Sequence, residues 1–311
     1  MAPDWAIAYG NTVDGYAGLN RLEEAKAVAK EGLRRHPEFT NLHDSLADIA
    51  LAEGDLATME SEEGFTKTQP EWETNVFFRH AGIAASHGQL RQAAELYEKA
   101  QAAGRRLQSK STEGFALSVR AWNNAVVGNG KEAIDLANAA LGTFPADNQR
   151  LFVAGILAFA GQTKKALDQA RDVAKRRPDD VWTQDIGVPW IQAAVALNGG
   201  DAARAIDLLK PANAYDKADT GIHYLRGLAY LKTGQALEAS QEFQKILALR
   251  NHAPSDPLMS LAHLGLGRAY ALQSDPPKSR TAYQDFFALW KDADPDVPIL
   301  KEAKAEYAKL Q

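Results

Sequence analysis

The sequence predicts an all-α solenoid: a right-handed superhelix of about eight helical hairpins with a C-terminal capping helix. Three observations predict it. Anchor residues recur at Ala25, Met59, Ala93, Ala133, Ala166, Ala205, Ala239 and Ser279, at spacings of 34, 34, 40, 33, 39, 34 and 40. Five residues before each anchor stands a helix breaker, and a proline often follows about a dozen residues later, as at Pro37, Pro145 and Pro178. No segment alternates apolar and polar residues as a half-buried strand would.

Close packing explains the pattern. Small side chains let two antiparallel helices approach, and aromatic residues fill the gap to the next hairpin. The seventh unit carries it most cleanly, with Gly227, Tyr230, Gly234, Ala239 and Phe243. Gly234 is placed to end its helix, because glycine adopts the left-handed conformation cheaply. The eighth unit repeats it with Gly267, Tyr270, Ser274, Ser279 and Tyr283, and Gly88, Gly128 and Gly161 punctuate the third, fourth and fifth. The second has its Pro70 one residue out of register, and Pro211 cuts the second helix of the sixth short. A period near 34 with this punctuation is the signature of tetratricopeptide repeats. The expected division is a single array over 1–311, with units at roughly 4–38, 39–72, 73–108, 113–146, 147–180, 186–217, 219–250 and 258–292 and a cap helix at 297–311. The longer spacings place insertions around Ala103–Arg106, Asp179–Trp182 and Asn251–Pro257. In the cap, Ile299, Leu300, Ala303, Tyr307 and Leu310 share one side.

Composition narrows the function. A net charge of −5 over 311 residues lacks the basic footprint of a nucleic-acid binder. No run of 18 apolar residues predicts a membrane span, and Met1–Trp5 lacks the basic and apolar regions of a signal peptide. With no cysteine, thiolate metal sites and a Cys nucleophile are excluded. A first helix beginning almost at Met1 is expected of a fragment cut from a longer protein.

From Phe243 onward, the segments Phe243–Leu247, Ser260–Tyr270, Ala282–Phe286, Leu289–Asp296 and Ile299–Leu310 form a further pattern. This region resembles the C-terminal tetratricopeptide region of bacterial Ser/Thr protein kinases and winged-helix transcriptional regulators, and Gly54–Met59 with Gln69–Trp72 fits the same family. The resemblance implies an N-terminal kinase or DNA-binding domain in the parent protein. It also implies a bacterial location, outside the cytoplasm if the parent spans a membrane and inside if it does not. The kinase Gly-rich loop, His-Arg-Asp and Asp-Phe-Gly signatures are absent from this chain. The expectation is a non-enzymatic, partner-sensing region without a cofactor.

Other chemistry reads weakly. Of the seven histidines only His80 and His87 share a helix face, with no zinc-protease pattern between them. Asp292, Asp294 and Asp296 lack the turn glycine of a calcium loop, and its twelfth position is Ala303. Gly128-Asn-Gly130-Lys131 is followed by Glu132, so no phosphate loop forms. The best signal is the concave lining, to which the first helix of each hairpin contributes. Candidate positions for a protein or peptide groove are Phe78, Trp122, Trp190, Tyr224, Leu228, Leu264 and Arg268. Aromatic and Arg side chains are the usual interface anchors, although the same aromatics also pack between units. Acidic residues at Asp14, Asp44 and Asp48, beside Asn41, favour a basic or neutral segment over an acidic tail. Self-association through the ends or convex face is the alternative role.

Overall fold

The computed structural model describes residues 5–67, 69–215 and 219–310. Among these, seventeen α-helices and no strands occur. The helices run in hairpins: α1 (Ala6–Gly18) with α2 (Leu22–Arg35), α3 (Thr40–Glu53) with α4 (Leu56–Thr66), and α5 (Pro70–Ser86) with α6 (Leu90–Arg106). Next come α7 (Lys110–Val126) with α8 (Gly130–Thr143), α9 (Asp147–Phe159) with α10 (Thr163–Arg176), and α11 (Val188–Asn198) with α12 (Ala202–Leu208). The last pairs are α13 (Thr220–Lys232) with α14 (Ala236–Ala248) and α15 (Pro257–Leu272) with α16 (Pro276–Leu289), followed by α17 (Pro298–Tyr307). This is an all-α solenoid of tetratricopeptide type.

The repeated residues do the work their spacing implied. Every anchor, from Ala25 to Ser279, is at most 2% exposed. The breaker five residues earlier (Asn20, Gly54, Gly88, Gly128, Gly161, Gly200, Gly234 or Ser274) has positive φ in every hairpin. A left-handed residue there ends one helix and turns the chain into the next. Several starts are also defined: Asp55, Ser109, Asp201, Asp219, Asp256 and Asp275 accept backbone N–H bonds as N-caps, and α5, α15, α16 and α17 begin with proline.

The sixth hairpin departs from the rest. Trp182–Gly187 forms a π-helical segment leading into α11, and α12 stops after seven residues, before the 3-10 turn Pro211–Ala214. Single-turn π segments gather at functional sites, because they re-aim side chains at a cost in hydrogen-bond geometry.

Long-range closure sets the shape of the concave face. Trp290 at the end of α16 donates its indole N–H to the Ser86 carbonyl (3.0 Å), which also accepts from the Ser260 hydroxyl (2.5 Å). Backbone bonds join Asp294 N to Gly88 O (3.1 Å) and Ile299 N to Val127 O (3.2 Å). Arg91 pairs with Asp296 at 2.8 Å, and Asp294 accepts from the Arg91 backbone N–H at 2.9 Å. Val126 and Val127 thereby enter the same apolar cluster as Phe286, Trp290, Ile299 and Leu300. The acidic turn at 292–296 is thus a docking element for the α5–α6 turn, and α17 does more than cover the end of the stack. The C-terminal hairpin folds back onto α5, and α17 onto the end of α7, so the inner-face residues fall into separate cavities.

Candidate functional site

The first cavity, about 540 Å³, opens between α1, α3, α5, α7 and the loop from Asn251 to Ser255. Its polar wall is built around Arg79, whose side chain is buried. The guanidinium donates to Asp44 (2.8 Å), Asp48 (2.7 Å) and Glu63 (2.8 Å), while Asn75 donates to the other Asp44 oxygen at 2.8 Å. Burial alone would lower the Arg79 pKa, but the Asp48 and Asp44 charges outweigh it and hold the side chain firmly cationic. The acidic lining read from the sequence is corrected in detail: Asp44 is buried against Arg79, and Asn41 lies against Gly10 of α1. Asp14 and the exposed edge of Asp48 remain open to the cavity, with Phe78 and Phe115 as aromatic walls 5.3 Å apart between ring centres. Desolvation, aided by the Asp44 charge, pushes the Asp14 carboxyl up.

Behind this wall Glu63 also bonds His80 Nε2 at 2.8 Å. Burial pushes the Glu63 carboxyl up, but the His80 and Arg79 hydrogen bonds outweigh it and leave it lowered. The Glu63 hydrogen bond raises His80 above its ordinary value of 6.5. The His80 contribution to stability is therefore fully present below pH 6.5 and is lost as pH rises through the raised value; the Glu63 contribution is lost as pH falls below 4.5. His80→Gln should flatten the stability loss on the alkaline side in denaturant titrations run at stepped pH. A variant retaining the wild-type pH profile would refute the coupling.

The second cavity, about 230 Å³, is aromatic. Trp122 of α7, Phe152 of α9, Trp182 of the π segment and Trp190 of α11 line it together with Asp219, Thr220 and Asp256. Trp122 and Trp190 sit 5.8 Å apart between ring centres, with Phe159 stacked on Trp190 at 5.4 Å. Trp190 lies directly over Gly155, where any Cβ would collide with its ring. Asp256 accepts from the Thr220 hydroxyl (2.6 Å) and from Leu258 N (2.9 Å); burial pushes its carboxyl up against those bonds.

A third cavity of about 220 Å³ holds Tyr224, Leu228 and Arg268 beside Val127 and Ile299. Tyr224 is buried, and desolvation pushes its phenol up to about 12. Arg268 is engaged by Glu306 (2.9 Å) and Glu302 (3.5 Å) of α17. Leu264 is 1% exposed within the apolar cluster of α15 and faces packing. The structure therefore brings Trp122 and Trp190 together, and separately Tyr224, Leu228 and Arg268, while Phe78 belongs to the acidic cavity. Sequence reasoning missed Arg79, Phe115, Phe152 and Trp182. Arg79 stands one turn beyond Asn75 on α5 and could have been found as the cation facing Asp44 and Asp48; Trp182 lies in an insertion, outside the repeat register.

Among the described residues, no cluster of three or more His, Asp or Glu side chains could hold a metal ion, and no helix is long and apolar enough to cross a membrane. No protein-family model and no curated protein matches the chain. Solved structures do. The human IFIT1 dimer with m7Gppp-AAAA aligns with 99% of this chain and 73% of its own, at 15% identity and a TM-score of 0.55. An IFIT1 monomeric mutant with Gppp-AAAA gives 100% and 74%, 15% identity and 0.55. A thermophilic TPR protein from Thermus thermophilus aligns with 62% of this chain and 98% of its own, at 17% identity and a TM-score of 0.44. The IFIT1 likeness, at this identity, is one of fold.

Proposed function

We propose that the chain is a non-catalytic scaffold that holds a protein or peptide segment on its inner face, with the acidic cavity taking a basic or neutral segment. One observation carries the reading: Asp14 and Asp48 open beside Phe78 and Phe115 in a 540 Å³ cavity whose one lining guanidinium, Arg79, is already engaged by carboxylates. Carboxylates there steer cations inward, and the two rings supply contact area. IFIT1 is solved with capped RNA, but this acidic wall would repel a phosphate backbone, whose binding needs clustered cations. The residues after Phe243 support a finer assignment, the partner-sensing region of a larger bacterial signalling protein with a kinase or DNA-binding output domain. Exposed Trp5, Ile7 and Leu19 on the first hairpin favour self-association as a second reading.

Fluorescence anisotropy with a peptide library sorted by charge tests this. Basic peptides should bind best, weaken with added salt, and lose about tenfold in affinity in the Asp14→Asn/Asp48→Asn double variant, as expected for steering charges at a partly open site. Equal binding of acidic peptides or of a capped RNA oligonucleotide would contradict the reading. Concentration-dependent light scattering without peptide binding would favour self-association.

A further inference from the structure

We propose that the aromatic cavity between Trp122, Trp182 and Trp190 is a second binding site, selective for a methylated ammonium cation. Aromatic walls come from α7, α9, the π segment and α11, and Asp219 and Asp256 also line the cavity. Among the described lining residues there is no Lys, Arg or His, and the charged side chains are those of Asp219 and Asp256. The space of about 230 Å³ suits a compact group on a chain rather than a folded partner. Indole faces attract cations through the ring quadrupole, most strongly when both are desolvated. A bare lysine ammonium is strongly hydrated and costs more to strip of water, whereas a methylated one presents an apolar shell to the rings. Trp182 forms the accessible wall: it lies across Gly187, whose Cβ would meet its ring at 3.1 Å, yet remains 49% exposed. The π segment puts this indole where an eight-hairpin repeat has no position for one.

The same chemistry occurs on methylated lysine side chains and in choline headgroups, and titration of the full chain separates them. Tryptophan fluorescence and calorimetry would follow choline, phosphocholine, a trimethyllysine peptide, the unmodified peptide, and 3,3-dimethyl-1-butanol, a neutral isostere of choline. Saturable binding of choline or the trimethyllysine peptide is expected, with the unmodified peptide and the isostere at least about tenfold weaker. A trimethyllysine peptide that outcompetes choline assigns a protein source; tighter phosphocholine assigns a headgroup. Trp182→Ala should weaken choline at least about tenfold while far-UV circular dichroism stays unchanged. Equal binding of the isostere overturns the proposal, as does saturation by none of the cations or full affinity in Trp182→Ala. Should that variant misfold, the isostere comparison on the wild-type chain decides. Peptide binding that depends on Asp14 and Asp48 is read separately, so either site can fail alone.

Discussion

Arg79→Ala lowers the stability of the N-terminal hairpins by about 3–5 kcal/mol, the usual cost of removing one partner from a buried ion cluster. The physical cause is what remains. Asp44 and Glu63 are both buried; without the guanidinium, Asp44 keeps only the neutral Asn75 donor and Glu63 keeps only His80. Asp48 is largely exposed and recovers water, so it adds little. Arg79→Lys should be intermediate, because an ammonium keeps the charge but cannot reproduce the fork that reaches three carboxylates. Adding Asp44→Asn and Glu63→Gln to Arg79→Met should recover much of the loss by removing the stranded charges. In a repeat array the damage is local, so hydrogen exchange should accelerate first in α3, α4 and α5. A loss below about 1 kcal/mol, typical of exposed pairs, would mean that the cluster is solvated.

Trp290→Ala is expected to cost about 3–5 kcal/mol and, beyond that, to open the molecule. The indole is 2% exposed, lies tilted against Phe286 at 4.8 Å between ring centres, and donates to Ser86 across 204 residues of sequence. Gly88 shows how tight the seam is. Its φ is +73°, and an added Cβ would stand 2.7 Å from the Trp290 ring and from Ala293. Gly88→Leu should therefore part the same seam from the other side, through strain at positive φ as well as collision. Both variants should keep nearly wild-type helical content, since each hairpin retains its own anchor, while small-angle scattering reports a larger radius of gyration. Unchanged scattering in both would show that the seam does not hold the C-terminal hairpin in place.

These two sites also show what the sequence made legible. The hairpins could be read because their packing is local: an anchor and a breaker five residues apart report one turn, and eight such pairs report the array. Ala133 and Gly128 sit in the same few turns of chain that they organise. The closing seam could not be read, because Trp290 and Ser86 share no periodicity and meet only through accumulated superhelical curvature. The same holds for the cavities. Trp122 and Trp190 were visible as inner-face aromatics, but Trp182 was not, since a π segment obeys neither the helix period nor the repeat. Asp44 and Asp48 were visible as acidic positions, while their neutralisation by Arg79 depends on how α3, α4 and α5 pack. Leu264 met the groove criterion by position and is buried, because α15 lies within the C-terminal apolar cluster rather than along an open edge.

Closure of the solenoid is tested most directly by a distance across the seam. The chain has no cysteine, so Arg91→Cys and Asp296→Cys introduce two unique labelling positions. These side chains meet at 2.8 Å, and both lie at the protein surface. Pulsed electron–electron resonance on the doubly spin-labelled chain should give one narrow, short distance, which broadens and lengthens when Trp290→Ala is added. A long or broad distribution in the otherwise wild-type chain would mean an open array, and the divided inner face with its three cavities would go with it.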